Sequence, residues 1–251
     1  MDRPDRKPPG PDDKEDAAIP NGNTRVYAIG DIHGRLDLLE RAIAAIGRDV
    51  EVRGPAALTV TLGDYIDRGP SSRGVLDRLA ANPFPTPYVA LKGNHEALLE
   101  TFLADPGAGD HWRKLGGLET MHSYGVPVGD LMIGRNFAEA ALRLRDALPR
   151  AHVEFLRSLK TSLTHGRYFF CHAGVRPGVA LGDQSDDDLM WIRDAFLSSP
   201  LNFGKVVVHG HTPVTVPEVL PNRINIDTGA FATGRLTCVA LDEDGHRFLD
   251  V

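Results

Sequence analysis

Residues able to hold a metal ion recur at five places along this chain, each time where an apolar run ends in a small residue. Ile29-Gly30 precedes Asp31, with His33 two positions on. Leu62-Gly63 precedes Asp64, and Lys92-Gly93 precedes Asn94 and His95. Phe170-Cys171 precedes His172 and then Ala173-Gly174, and His209-Gly210 precedes His211. Carboxylate, imidazole and amide donors in one set suit Mn, Fe or Zn better than Ca or a thiolate site. Asp31, His33, Asp64, Asn94, His172 and His211 are too many donors for one ion that keeps open positions. They suit two divalent ions bridged by one carboxylate, and Asp64 is the candidate bridge. Such a pair can bring a bound water from a pKa of about 15.7 toward about 7.

These residues need elements that bring them to one edge. From Arg25 the pattern alternates strand and helix. Apolar runs at 26–29, 57–62 and 88–91 predict buried strands, and the periods at 35–46, 71–81 and 95–103 predict helices. That order implies parallel neighbours covered by helices. Ligands in such folds gather beyond the C-terminal ends of the strands, where glycine permits a sharp turn. Residues 105–160 start Gly-rich and then read as helices at 136–148 and 152–159, an insertion expected to roof the site. Strands return at 168–171, 206–209, 223–226 and 236–241. No helical pattern separates the last two, so that end is expected to pair antiparallel. The whole reads as a mixed α/β fold of about 25–251 with two stacked sheets, preceded by a Pro-rich, mixed-charge tail at 1–24 expected to be disordered.

Composition narrows the partners. The 251 residues carry a formal net charge of −6, which argues against general binding of a nucleic-acid backbone. It does not argue against a phosphate substrate, because bound ions dominate the local field. There is no apolar run long enough for a membrane span and no signal core, and the two unpaired cysteines, Cys171 and Cys238, fit a reducing cytoplasm. Cys171 reads as a buried strand thiol.

Gly30-Asp31-Ile32-His33-Gly34, Gly63-Asp64-Tyr65-Ile66-Asp67-Arg68-Gly69 and Gly93-Asn94-His95-Glu96 resemble the three signature motifs of the phosphoprotein phosphatase family of metallophosphoesterases. His172-Ala173-Gly174 and Gly210-His211-Thr212-Pro213 resemble its later histidine motifs. Gly116-Gly117-Leu118-Glu119-Thr120 is similar to the bacterial branch that includes lambda phosphatase. The resemblance implies a metallophosphoesterase-like mixed β-sheet sandwich flanked by helices. It implies Asp31, His33 and Asp64 on one metal, and Asp64, Asn94, His172 and His211 on the other. His95 resembles the general acid and Asp67 the carboxylate that orients it, while Arg68, Arg193 and Asn94 fall where the substrate phosphate is held. The implied activity is hydrolysis of phosphate monoesters by in-line attack of a metal-bound hydroxide, on a phosphoprotein or a small phosphoester. Serine/threonine protein phosphatase is the leading form, with Mn the first expectation among the metals. The alternative is a dinucleoside polyphosphate hydrolase, whose first motif usually has Gln where this chain has His33.

Several residues invite a plainer reading. Asn94 has the type and place of a helix N-cap. Arg193 follows Asp186 to Asp188 and fits a surface ion pair. His209 reads as a core or supporting residue. His111, His122, His152, His165 and His246 lack a motif, and Asp183 to Asp188 reads as a solvated loop without EF-hand spacing.

Overall fold

The computed structural model describes residues 24–251, so the tail expected at 1–24 lies, but for its last residue, outside the described residues. The first half forms β1 (Arg25–Ile29), α1 (Leu36–Arg53), β2 (Ala57–Thr61), α2 (Ser72–Ala80), β3 (Tyr88–Ala90) and α3 (Asn94–Ala104). All five residues of β2 are buried, as are four of the five of β1, which is why both read as continuous apolar runs. The insertion contains only helical elements: α4 (Gly109–Trp112), a π turn (Arg113–Gly117), α5 (Leu118–Ser123), α6 (Gly129–Met132), α7 (Phe137–Ala147) and α8 (Arg150–Ser158). The second half gives β4 (Ser162–His165), β5 (Tyr168–Cys171), α9 (Asp186–Trp191), α10 (Asp194–Leu197), β6 (Val206–His209), β7 (Glu218–Val219), β8 (Arg223–Asn225), α11 (Ala230–Thr233), β9 (Cys238–Leu241) and β10 (His246–Phe248).

The strands form two mixed sheets, ordered β10-β9-β1-β2-β3 and β4-β5-β6-β8-β7. Val26, Ala28, Leu58 and Val60 of the first face Phe170, Val208 and Ile224 of the second in one apolar layer. The outer face of the first sheet packs Tyr27 and Ile29 against Leu38, Leu39, Leu99 and Trp112 of the helices. The outer face of the second packs Phe169, Cys171 and Val207 against Leu189 and Phe196. In both sheets the parallel strands point the same set of C-terminal ends toward the site.

Two expectations change. The strands near 223–226 and 236–241 do not pair with each other: β8 joins β6 in parallel, whereas β9 runs antiparallel to β1. The connection crosses from one sheet to the other through α11, too short to leave a helical period. The aspartate run is also not a loop. Asp186, Asp187 and Asp188 form the first turn of α9, where acidic groups suit the helix N-terminus, and the Ser185 hydroxyl caps it by accepting the Asp188 N–H. Among the histidines without a motif, His152 is buried and joins two helices, with Nδ1 2.7 Å from the Tyr124 hydroxyl and Nε2 2.9 Å from Asp77 Oδ1. Cys171 and Cys238 are both buried free thiols. No helix among the described residues is long and apolar enough to cross a membrane.

The layer between the sheets ties together the strand ends that form the site. Phe170→Ala empties a fully buried position there and is expected to cost about 3–5 kcal/mol, measurable as a lowered urea midpoint at unchanged slope.

Candidate metal centre

The site is built from the loops that follow β1, β2, β3, β5 and β6. These loops are tightly bent. Seven non-glycine residues among those described have positive φ, and five of them are His33, Asp64, Asp67, Arg68 and His211. The other two, Asn82 and Asn136, are of a type that tolerates this conformation. Backbone strain of this kind survives only where surrounding contacts fix it. Glu96 supplies many of them: its buried carboxylate accepts the N–H groups of Asp64 at 2.9 Å, Tyr65 at 2.8 Å and Gly93 at 3.0 Å. Two glycines leave the space that the side chains need. A β-carbon on Gly93 would stand 2.2 Å from Asp64 Oδ1, and one on Gly210 would stand 2.0 Å from Asp31 Oδ1.

Asp64 lies at the centre. Its Oδ2 is 3.4 Å from His33 Nε2 and 3.7 Å from His95 Nε2, and its Oδ1 is 3.4 Å from His172 Nε2. The far ring nitrogens fix the tautomers. His33 Nδ1–H donates to the Ile66 carbonyl at 2.8 Å, and His172 Nδ1–H to the Leu62 carbonyl at 2.9 Å. Each therefore turns an Nε2 lone pair to the centre. His172 Nε2 also lies 2.9 Å from Asn94 Oδ1 and 3.2 Å from His211 Nδ1. The Nε2 atoms of His33 and His211 are buried without a hydrogen-bond partner. Lone pairs converging on lone pairs are what a cation relieves, so the donor set fits divalent metal ions. Burial drives His33 down to about 3 and lowers His172 and His211 too, which keeps these rings neutral and able to ligate. Burial opposes ionisation of Asp64, but the imidazoles around it, His172 and His95 foremost, reverse that and hold it well below the usual carboxylate range.

Two groups of donors cluster tightly: His33, Asp64 and His95, and Asp64, His172 and His211. Asp64 belongs to both, as a bridge would. Asp31 stands slightly apart, its two carboxylate oxygens accepting the His211 N–H at 3.1 and 3.3 Å. Asn94 opens α3 without capping it; Gly93 is the N-cap, which frees the amide to face His172.

Beside the donors lies a histidine–carboxylate pair. His95 Nδ1–H donates to Asp67 Oδ2 at 2.6 Å. Asp67 accepts in addition the Trp112 Nε1–H at 2.7 Å and the Thr120 hydroxyl at 2.5 Å, both from the insertion. Burial would lower the pKa of His95, but Asp64 and Asp67 outweigh it and raise it above the ordinary histidine value. Arg68 pulls the other way, with Nη2 3.1 Å from His95 Nε2 and its guanidinium over the Phe231 ring at 4.8 Å. Arg193, an exposed residue, reaches back toward the site, donating from Nη1 to the Thr212 hydroxyl at 3.2 Å and adding a positive field at His172 and His211. His209 is absent from the donor groups; its ring meets Phe196 edge-on at 5.0 Å.

Sequence reasoning missed Asp227. It is buried beside Asp31, and burial with the charge of Asp64 raises it to about 6 despite the Gly229 N–H that it accepts. Asp31 is raised well above the usual range by burial, Asp227 and Asp64. The signal was present: Ile226-Asp227 ends a strand as the other site residues do, but its glycine, Gly229, comes after it.

Residues 24–242 match the profile of the calcineurin-like phosphoesterases. The chain is 28% identical over 222 residues to serine/threonine-protein phosphatase 2 of Escherichia coli, covering 84% of this chain and 90% of that one. It is 28% identical over 249 residues to the asymmetrical bis(5'-nucleosyl)-tetraphosphatase PrpE of Bacillus subtilis, covering 89% of this chain and 90% of that one. Its fold matches a crystal structure provisionally described as a diadenosine tetraphosphatase, with a TM-score of 0.64 at 20% identity over 92% of this chain and 95% of that one. A cold-active protein tyrosine phosphatase matches with a TM-score of 0.59 at 16% identity over 91% and 77% of the two chains.

The His95–Asp67 pair predicts a pH effect if His95 serves as the acid that the sequence motif implies. The proton on His95 is lost as pH rises through a folded-state pKa that Asp67 helps to raise. Activity that needs this proton therefore falls on the alkaline side, and Asp67→Asn is expected to move that limb to lower pH while lowering kcat about 10- to 100-fold. A pH–rate profile of the variant with an unmoved alkaline limb would count against the pair.

Proposed function

The chain belongs to the calcineurin-like phosphoesterase family, and from that premise we propose that it hydrolyses phosphate monoesters of alcohols, with phosphoserine and phosphothreonine in proteins as its substrates. The observation that carries this reading is the His95–Asp67 pair set against Asp64. An alkyl alcohol leaves as a strongly basic alkoxide unless it is protonated, so a positioned acid lowers that barrier. A nucleotide leaving from a polyphosphate is already a stable anion at neutral pH and needs no such proton.

The chain's residues divide the work. Asp31, His33 and Asp64 would hold one divalent ion, and Asp64, Asn94, His172 and His211 the other; the lone pairs facing Asp64 suit them to it. Two ions bound there supply an activated water and neutralise the phosphoryl oxygens, with Mn the first expectation and Fe or Zn compatible with the same donors. Arg68, beside His95, and Arg193, beside Thr212, would present guanidinium forks to the phosphate. When Arg68 turns to the phosphate it releases His95 Nε2, which then faces the leaving oxygen with its proton. Asp67 keeps the ring aligned and favours its charged form, and Trp112 and Thr120 keep Asp67 in place.

One feature favours a second reading. A cavity of about 400 Å³ opens beside Arg68, lined by Arg113, Lys114 and Phe231 among others. An aromatic face near two cations suits a nucleoside polyphosphate, the class named for the PrpE relative. The two readings separate by leaving group. With chelator-stripped protein reloaded with Mn²⁺, His95→Gln is expected to lose about 10²–10⁴ in kcat on a phosphothreonine peptide and far less on p-nitrophenyl phosphate, whose phenolate leaves unaided. Rapid cleavage of diadenosine tetraphosphate, with the peptide left intact, would reverse the assignment.

A further inference from the structure

We propose that Asp227 is a positioning residue of the metal centre: it orients Asp31, and its negative charge strengthens binding at the metal position that Asp31 serves. This rests on the two-metal reading above. Asp227 stands just beyond β8 and is 2% exposed, and Asp31 beside it is equally buried. The loop fixes it on every side. Its N–H donates to Asn225 Oδ1 at 3.0 Å, its carbonyl accepts the Val214 N–H at 2.9 Å, and its Oδ1 accepts the Gly229 N–H at 2.8 Å. Asp227 and Asp31 flank the same glycine, Gly210, so the two buried side chains are neighbours. Gly210 makes that approach possible, because a β-carbon there would sit 2.0 Å from Asp31 Oδ1 and 3.5 Å from Asp227 Cβ.

Two neighbouring buried carboxyls repel when both are ionised, and a third, Asp64, adds to the field. Among the described residues neither Asp31 nor Asp227 forms an ion pair with a basic side chain. Arg68 contributes a field at both, but its guanidinium is placed on His95 and Phe231. A turn-forming role would require only the bond from the Gly229 N–H, which an asparagine makes equally well. The acidic form is explained by what it would balance, a divalent cation that Asp31 would hold. Groups that hold a ligating side chain in this way commonly change metal affinity by about 10- to 100-fold.

The test uses metal binding and not turnover. The full-length protein is stripped with chelator and titrated with Mn²⁺ by calorimetry, with free Mn²⁺ followed by electron paramagnetic resonance. The wild type is expected to bind two ions. Asp227→Asn, which keeps size and the turn, is expected to weaken one of them about 10- to 100-fold and leave the other unchanged. Asp31→Asn should weaken the same position, and the double variant should bind little worse than Asp31→Asn alone, because Asp227 acts through Asp31. Without metal, Asp227→Asn should melt no lower than the wild type, since it relieves repulsion. Two ions bound with wild-type affinities, or a lower metal-free melting temperature with both positions equally weakened, overturns the proposal. A wild type that binds no Mn²⁺ would overturn the two-metal reading first.

Discussion

Three carboxylates and several imidazoles share one buried pocket in this protein, and their lone pairs meet with few protons between them. Buried charge without compensation is costly, so such a cluster is held together by its scaffold and by whatever cation it binds. Asp64 shows the balance. It is buried, yet His172, His95, His33 and His211 all surround it. Much of the fold can be understood as the means of keeping that cluster from relaxing. The two sheets bring their parallel strand ends to one edge, and the apolar layer between them prevents the ends from separating.

The loops beyond those strands carry the bending. His33, Arg68 and His211 occupy a backbone region that their side chains disfavour, and each does so where a neighbouring group must aim inward. Glu96 shows how the bends are held. It opens no chemistry of its own, but its two oxygens gather N–H groups from the loops after β2 and β3, locking the residues on either side of Asp64. A buried acceptor serving several donors is effective here because each donor would otherwise be left unsatisfied.

Local pattern made part of this visible. Asp31, His33, Asp64, Asn94, His172 and His211 stood out because an apolar run followed by a small residue is a strand end written in a few letters. Asp227 also follows a predicted strand, but no small residue separates it from the run and its glycine, Gly229, comes two positions later, so the pattern did not mark it. Trp112 and Thr120 were beyond reach for a different reason. They are far from Asp67 in the chain and meet it only through the packing of α4 and α5, which no periodicity encodes. The pairing of β8 and β9 failed similarly: adjacency in sequence suggested a shared sheet, whereas the crossing through α11 is a property of the assembled layers.

The insertion links two properties that would otherwise be independent. Trp112 and Thr120 hold the carboxylate that orients His95, while Arg113 and Lys114, in the turn between them, line the cavity beside Arg68. Gly116 joins the two regions, its carbonyl accepting the Arg68 N–H at 3.2 Å. A β-carbon at Gly116 would come within 2.6 Å of the Arg68 backbone nitrogen, so this turn packs directly on the loop that carries Arg68. A ligand in the cavity would therefore contact the same short segment that holds Asp67 and, through it, His95. Under the proposed reaction, recognition at the cavity and alignment of His95 share this segment, so changes in that turn that alter substrate preference should alter the alignment of His95 as well.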